Sequence, residues 1–274
     1  MRITVLHPGQ MGVEVARSLA DGHEVAWCAL GRSDATRTRA EDADLLELAD
    51  LGEVASWADA VLSICPPAAA YEVAADVVAA GFSGVYVDAN AVAPATVQRI
   101  AAVVLEAGGE VVDGGIVGLP PRQEGTTRLF LSGSRAGEVA DWFAGGPLGT
   151  VVLPGDVGDA SALKASYAGW TKASAALLVA VRAHARAAGV EDALLEEWDR
   201  SQPGLRDRSS GALERLLATA WRYEGEMAEI ATSMDDHGVP AEFHDGAAAV
   251  YRRLAQVRAD TADVAGVLDE FLAP

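Results

Sequence analysis

Lysine and asparagine are nearly absent from this sequence. Lys164 and Lys172 are its two lysines and Asn90 its single asparagine in 274 residues. The other basic side chains are arginines, which hold their proton near neutral pH, whereas a desolvated lysine can release it. Cysteine is as scarce: Cys28 and Cys65 both sit inside apolar runs, so buried free thiols are expected and a disulfide framework is excluded. No cluster of Cys, His and carboxylates has ligand spacing, so no metal is expected. No apolar run reaches the ~18 residues of a membrane span. The chain opens on Met1-Arg2 and a strand-like run without a signal peptide, and a cytoplasmic setting is expected. Positive charge is in the minority. The formal net charge of −19 disfavours nucleic acid and anionic lipid as partners, and it makes any local arginine cluster informative.

What is present is enough apolar material for a core, with 50% hydrophobic residues. At ~150 residues per domain the length suits one large domain or two modest ones. Short apolar runs at Arg2–Leu6, Glu24–Leu30, Val61–Cys65 and Val85–Asp88 read as the first four strands. Shorter ones follow at Glu110–Asp113, Leu129–Ser132 and Thr150–Leu153. Helical spacing lies between some of them, over Gly9–Leu19 and Pro94–Ala107. Strands alternating with helices predict crossovers and a mainly parallel sheet covered on both faces. After Gly158 strand-like alternation stops. One helix is predicted over Ser161–Ala188, then helices near Asp192–Arg200, Gly211–Ala231, Ala241–Arg258 and Thr261–Leu272. The reading is an α/β N-terminal domain over 1–157 and an all-helical domain over 158–274, joined by the long helix.

The first turn reads His7-Pro8-Gly9-Gln10-Met11-Gly12, after a strand and opening a helix. That is the place of a dinucleotide fingerprint. Gly9 and Gly12 hold its second and third glycine positions, which serve close approach to the pyrophosphate and helix–strand packing. His7 replaces the first. The helix start, with Gln10 and Met11, supplies N–H groups to a phosphate. An NAD site places a carboxylate ~20 residues on to hold the ribose hydroxyl. Here Gly31-Arg32-Ser33 stands there, with Arg37 and Arg39 behind. Arginine suits a 2′-phosphate, so the expected cofactor is NADP(H) in a Rossmann domain.

Lys164 falls near the start of the long helix. Tyr167, Ala168 and Thr171 share its face, and Ser161 lies one turn earlier. A lysine, a tyrosine and hydroxyls on one face can surround a carbonyl or alcohol oxygen, where hydride transfer builds or removes negative charge. Lys172, some ~80° round the helix, is expected to point elsewhere. Arg122 and Arg128 are candidates for an anionic substrate.

Taken together, several motifs resemble the β-hydroxyacid dehydrogenases. They are the fingerprint turn, Cys65-Pro66-Pro67, Asp88-Ala89-Asn90, Asp113-Gly114-Gly115-Ile116-Val117-Gly118, and Gly155-x-x-Gly158 leading to Lys164. The 6-phosphogluconate and 3-hydroxyisobutyrate dehydrogenases belong to that superfamily, and imine reductases are close relatives. Ser161-Ala162-Leu163-Lys164 and Trp221-Arg222-Tyr223-Glu224-Gly225-Glu226-Met227 are similar to a bacterial branch whose C-terminal domain has no known function. The resemblance implies a Rossmann domain joined to a helical domain, and homodimers with interlocked helical domains. It implies Lys164 as the catalytic lysine, Asn90 in the turn under the nicotinamide beside Cys65-Pro66, and a substrate loop at Val117-Gly118-Leu119. Ala168 stands where the family has asparagine, Val117-Gly118-Leu119 where it has Ser-Gly-Gly, and Glu226 where it has a later lysine. The expected function is an NADP(H)-dependent oxidoreductase of a small alcohol/carbonyl pair, with Lys164 as acid/base, and Tyr167 and Thr171 orienting substrate. One alternative is an imine reductase with Tyr167, Glu226 or His237 near the nitrogen. The other is a cofactor-binding protein without turnover.

Overall fold

The computed structural model describes residues 1–258 and 263–273. Two compact units divide the chain, Met1–Ala165 and Ser166–Pro274. In the first, β1 (Arg2–Val5), α1 (Gln10–Arg17), β2 (Glu24–Cys28), α2 (Asp34–Glu41), β3 (Leu46–Leu48), α3 (Leu51–Trp57) and β4 (Ala60–Ser63) follow one another. Then come α4 (Ala70–Ala79), β5 (Val85–Asp88), α5 (Pro94–Glu106), β6 (Glu110–Val117), β7 (Arg128–Ser132), α6 (Ala136–Asp141) and β8 (Gly149–Val152). The eight strands form one sheet in the order β3-β2-β1-β4-β5-β6-β7-β8. All neighbours are parallel except β6 and β7. The chain reverses its direction of winding between β1 and β4, and ligands of such sheets bind at the carboxyl ends of the strands at that point.

Both faces of the sheet are covered, which is why its central strands are apolar throughout. On one face Ile3, Val5, Leu62 and Val87 pack with Val15 of α1 and with Val139, Trp142 and Phe143. On the other, Leu6, Val61 and Tyr86 pack with Val54, Ala74, Val77, Val97, Ile100 and Val104 from α3, α4 and α5. The long helix α7 (Asp159–Ala187) begins in this unit. In the second unit α8 (Glu191–Ser201), α9 (Leu205–Leu217), α10 (Ala220–Asp236), α11 (Glu242–Leu254) and α12 (Val264–Leu272) follow it. Among the described residues no helix is long and apolar enough to cross a membrane.

Several elements differ from the sequence reading. Leu46–Leu48 is an additional strand, so Val61–Cys65 corresponds to the fourth strand and not the third. Three residues with Glu47 at their centre are too short to show alternation. That fourth strand ends at Ser63, because the Cys65 N–H donates to the Asn90 side chain (2.5 Å). β6 runs past its glycines to Val117, where its second half pairs with β7. The stretch Gly211–Ala231 is two helices, broken at Ala218-Thr219 within an unbroken apolar pattern. α12 starts at Val264, capped by Asp263 through the Gly266 N–H (2.7 Å); the expected start at Thr261 lies outside the described residues.

Candidate active site

The fingerprint turn follows β1 at the winding reversal. Gly9 is the N-cap of α1 in extended geometry and has no side chain to satisfy the first N–H groups, including those near Gln10 and Met11. A Cβ on Gly12 would lie 2.2 Å from the His7 carbonyl oxygen, so only glycine lets α1 approach the turn this closely. Arg39 fixes the turn from α2, donating to the Pro8 carbonyl (3.3 Å) and to Thr36 Oγ1 (2.9 Å). Burial, reinforced by the Arg32 charge, pushes the His7 ring down to about 4, so it is neutral at physiological pH. Its buried Nδ1 has no protein partner.

The three arginines after β2 separate in space. Arg37 pairs with Glu47 of β3 (2.5 Å) and lies over the Trp27 ring. Ser33 caps α2, its hydroxyl accepting the Thr36 N–H (3.4 Å). Arg32 donates to the Leu30 carbonyl (3.1 Å) and forms no ion pair among the described residues. In a chain with this excess of carboxylates, such a guanidinium beside a helix N-terminus is suited to an external anion.

Asn90 is held on every side. Its carboxamide nitrogen donates to Asp88 Oδ2 (2.8 Å) and Ser63 Oγ (3.2 Å), and its oxygen accepts the Cys65 N–H. Its own N–H donates to Asp88 Oδ1 (3.2 Å). The single asparagine thus clamps the loops after β4 and β5 together, with Pro66 exposed just beyond Cys65. Burial pushes Asp88 up to about 7; the Asn90 bonds pull against this and the Asp113 charge adds to it. Burial likewise pushes the Cys65 thiol up to about 11, so it is not a poised thiolate.

Lys164 is half-buried on the second turn of α7, and its ammonium donates to the Ile116 carbonyl of β6. The helix lies directly on that strand. A Cβ on Gly115 would stand 2.7 Å from the Ala160 carbonyl oxygen and 3.1 Å from Lys164 Cβ. The loop after Val117 turns at Gly118 (φ 131°), where a Cβ would meet the Thr126 carbonyl oxygen at 2.5 Å. Thr127 Oγ1 donates to the Leu119 carbonyl, and the Leu119 side chain stays exposed. Arg122 ties the loop to α1 through buried Glu14 (3.2 Å), so this candidate for substrate binding already has a carboxylate partner.

Arg128, the other candidate for an anionic substrate, opens β7 and is exposed; the remaining expected residues belong to the second unit. Tyr167 is half-exposed on α7, and its carbonyl accepts the Thr171 hydroxyl (3.1 Å). Glu226 is mostly buried and paired with Lys172, whose ammonium also lies over the Tyr223 ring (4.5 Å). Tyr251 packs edge-on against Tyr223 and donates to the Lys172 carbonyl (2.8 Å). Glu226 is therefore part of a cross-helix ion pair between α7 and α10. The second lysine, expected to point elsewhere, fills that place. Sequence reasoning gave no role to Ser63, Asp88, Asp113 and Ser132, although each is a polar residue following an apolar strand segment.

Comparison with known proteins adds the following. The family model described as "Domain of unknown function (DUF1932)" matches residues 185–254. An uncharacterized 28.5 kDa protein encoded in the 7S RNA 5′ region of Methanothermus fervidus is 31% identical over 198 residues, 72% of this chain and 75% of that protein. A conserved protein of unknown function, whose structure was described as similar to 3-hydroxyacid dehydrogenases, matches with TM-score 0.69 and 25% identity over the full length of both chains. The Mycobacterium tuberculosis 3-hydroxyisobutyrate dehydrogenase, solved with L-serine, shares the fold over 99% of both chains (TM-score 0.72, 18% identity). A Streptomyces aurantiacus imine reductase shares it at TM-score 0.51 and 21% identity over the full length of both. The chain is thus related in sequence to the uncharacterized Methanothermus fervidus protein, carries the domain of unknown function over residues 185–254, and has the fold of 3-hydroxyacid dehydrogenases and imine reductases.

Proposed function

We propose that the protein is an NADP(H)-dependent oxidoreductase of a small, hydroxy-acid-like alcohol or its carbonyl counterpart, with Lys164 as the acid/base. The observation that carries this reading is the Lys164 ammonium at the Ile116 carbonyl, where β6 leaves the sheet toward the Gly118 loop. The glycine cradle fits a dinucleotide. The first N–H groups of α1, those of Gln10, Met11 and Gly12, would hold the pyrophosphate, and Arg32 with the Ser33 segment would hold a 2′-phosphate. The loops at Cys65-Pro66 and Asn90 would border the nicotinamide. When bound, that ring supplies or accepts the hydride. Lys164 holds the proton that the substrate oxygen gains on reduction or gives up on oxidation. The Val117-Gly118-Leu119 loop, with exposed Leu119, would offer main-chain N–H groups and an apolar wall to the substrate.

In the imine reading Glu226 is engaged by Lys172, which leaves Tyr167 or His237 to serve the nitrogen. A homodimer in the cytoplasm is part of the proposal. Trp170 (68% exposed) and Leu177 (47% exposed) on α7 support it as an apolar face for a second copy. The test is turnover of a panel of small β-hydroxy acids and their keto forms by wild type and Lys164→Met. Lost acid–base catalysis lowers kcat by about 10²- to 10⁴-fold, with NADPH affinity retained. Cofactor binding with no oxidation or reduction across the panel would instead favour a non-catalytic binding protein.

A further inference from the structure

A row of polar side chains crosses the interior of the sheet. Ser63 of β4 is in register with Asp88 of β5, Asp88 with Asp113 of β6, and Asp113 with Ser132 of β7. All four are fully buried. Two carboxylates among valines and leucines are expensive to bury unless each is well supplied with donors. At one end of the row Asp88 serves Asn90. At the other, Asp113 serves the start of α7. Its Oδ2 accepts the N–H groups of Gly158 and Ser161, both at 2.9 Å, and the Ser132 hydroxyl at 3.2 Å. Its Oδ1 accepts the Ser161 hydroxyl at 2.7 Å, and Ser132 Oγ accepts the Ala160 N–H at 3.1 Å.

These donors are ones that the first turn of a helix leaves without intrahelical partners. A carboxylate is the favoured acceptor for them, because it also meets the positive end of the helix dipole. Lys164 sits one turn after Ser161. From Asp113 the strand continues through Gly115, under the backbone of Ala160, to Ile116, whose carbonyl takes the Lys164 ammonium. One short strand segment thus fixes both the start of the helix and the head of the lysine.

We propose that Asp113 is a positioning residue for Lys164: by gathering the first N–H groups of α7 and the Ser161 hydroxyl, it sets the height and rotation at which the lysine meets the end of β6. Its catalytic meaning rests on the reading of Lys164 as proton carrier, but its test does not use turnover. With two lysines in the chain, reductive ¹³C-methylation gives one side-chain signal for each, assigned with Lys164→Met and Lys172→Arg. In Ser161→Ala and Asp113→Asn the Lys164 signal should shift and its titration midpoint should move, while the Lys172 signal stays in place. Ser161→Thr, which restores the hydroxyl, should return the Lys164 signal toward wild type. If Asp113→Asn does not fold, the Ser161→Ala and Ser161→Thr pair carries the test. Folded variants that leave the Lys164 signal unmoved, or that move both lysine signals together, would overturn the assignment.

Discussion

The sheet interior of the first unit and the helices of the second bury charge in opposite ways. In the first, Asp88 and Asp113 accept hydrogen bonds from uncharged donors: main-chain N–H groups, hydroxyls and one carboxamide. In the second, buried charge meets charge. Arg182 and Arg186 share Glu191, and Lys172 holds Glu226, while Arg186 also reaches exposed Asp269. A carboxylate surrounded by short, directional donors fixes loop ends and helix starts at defined heights. An ion pair between long side chains joins two helices but tolerates variation in where they sit. The first arrangement suits the edge of a reaction site and the second suits a helical scaffold. The two lysines express the same division, one on a main-chain carbonyl of the sheet and the other in a cross-helix pair.

The sharpest test of that division exchanges the lysines' fates. Lys164→Met should lower kcat by about 10²- to 10⁴-fold with little change in the unfolding midpoint. Lys172→Met should do the reverse, and equal effects on turnover would erase the distinction. Next in size is the pH dependence from Asp88. Its folded carboxyl keeps its proton to about 7, well above an unfolded aspartate. Its contribution to stability is therefore complete below pH ~4 and is lost as the pH rises through ~7. Relative to Asp88→Asn, wild type should lose up to about 4 kcal/mol over that window, read from urea midpoints at several pH values. A constant difference would mean that Asp88 is already ionised in the folded state. Lys172→Met should then cost about 2–4 kcal/mol in the same assay, because it leaves Glu226 mostly buried without its cation. The smallest effect is expected at the cofactor. Arg32→Ala should weaken NADPH binding by about 1.5–3 kcal/mol and leave NADH unchanged. Equal affinity of wild type for the two cofactors would remove the role given to Arg32.

The alternation of strands and helices was legible because the strands are apolar and the helices α1 and α5 carry their own apolar pattern, whereas α2, with Ala40 its one buried residue, carries none. The fingerprint turn was legible because its glycines are adjacent in sequence. What stayed hidden depends on register. Ser63 lies inside one predicted strand and Asp88, Asp113 and Ser132 close three others, and only pairing between strands far apart in sequence sets them in one row. The missed strand β3 had a similar consequence. Without Glu47 beside it, Arg37 looked equivalent to Arg32 as a phosphate ligand. Glu226 posed the same difficulty on helices, since its partner lies on α7 while it lies on α10. In each case the residue types were visible and their partners were not.

The clamp at Asn90 also bears on how the molecule ages. Asparagine is among the thermolabile residues: the main-chain nitrogen of the next residue can attack its side-chain carbonyl and expel ammonia, and water then opens the ring. Loss of that amide would leave a carboxylate in its place. Here the chain has one such group, buried and followed by Ala91, with both polar atoms of its carboxamide engaged. A preparation kept warm for weeks should therefore gain little negative charge by this route, and isoelectric focusing should show a single dominant band.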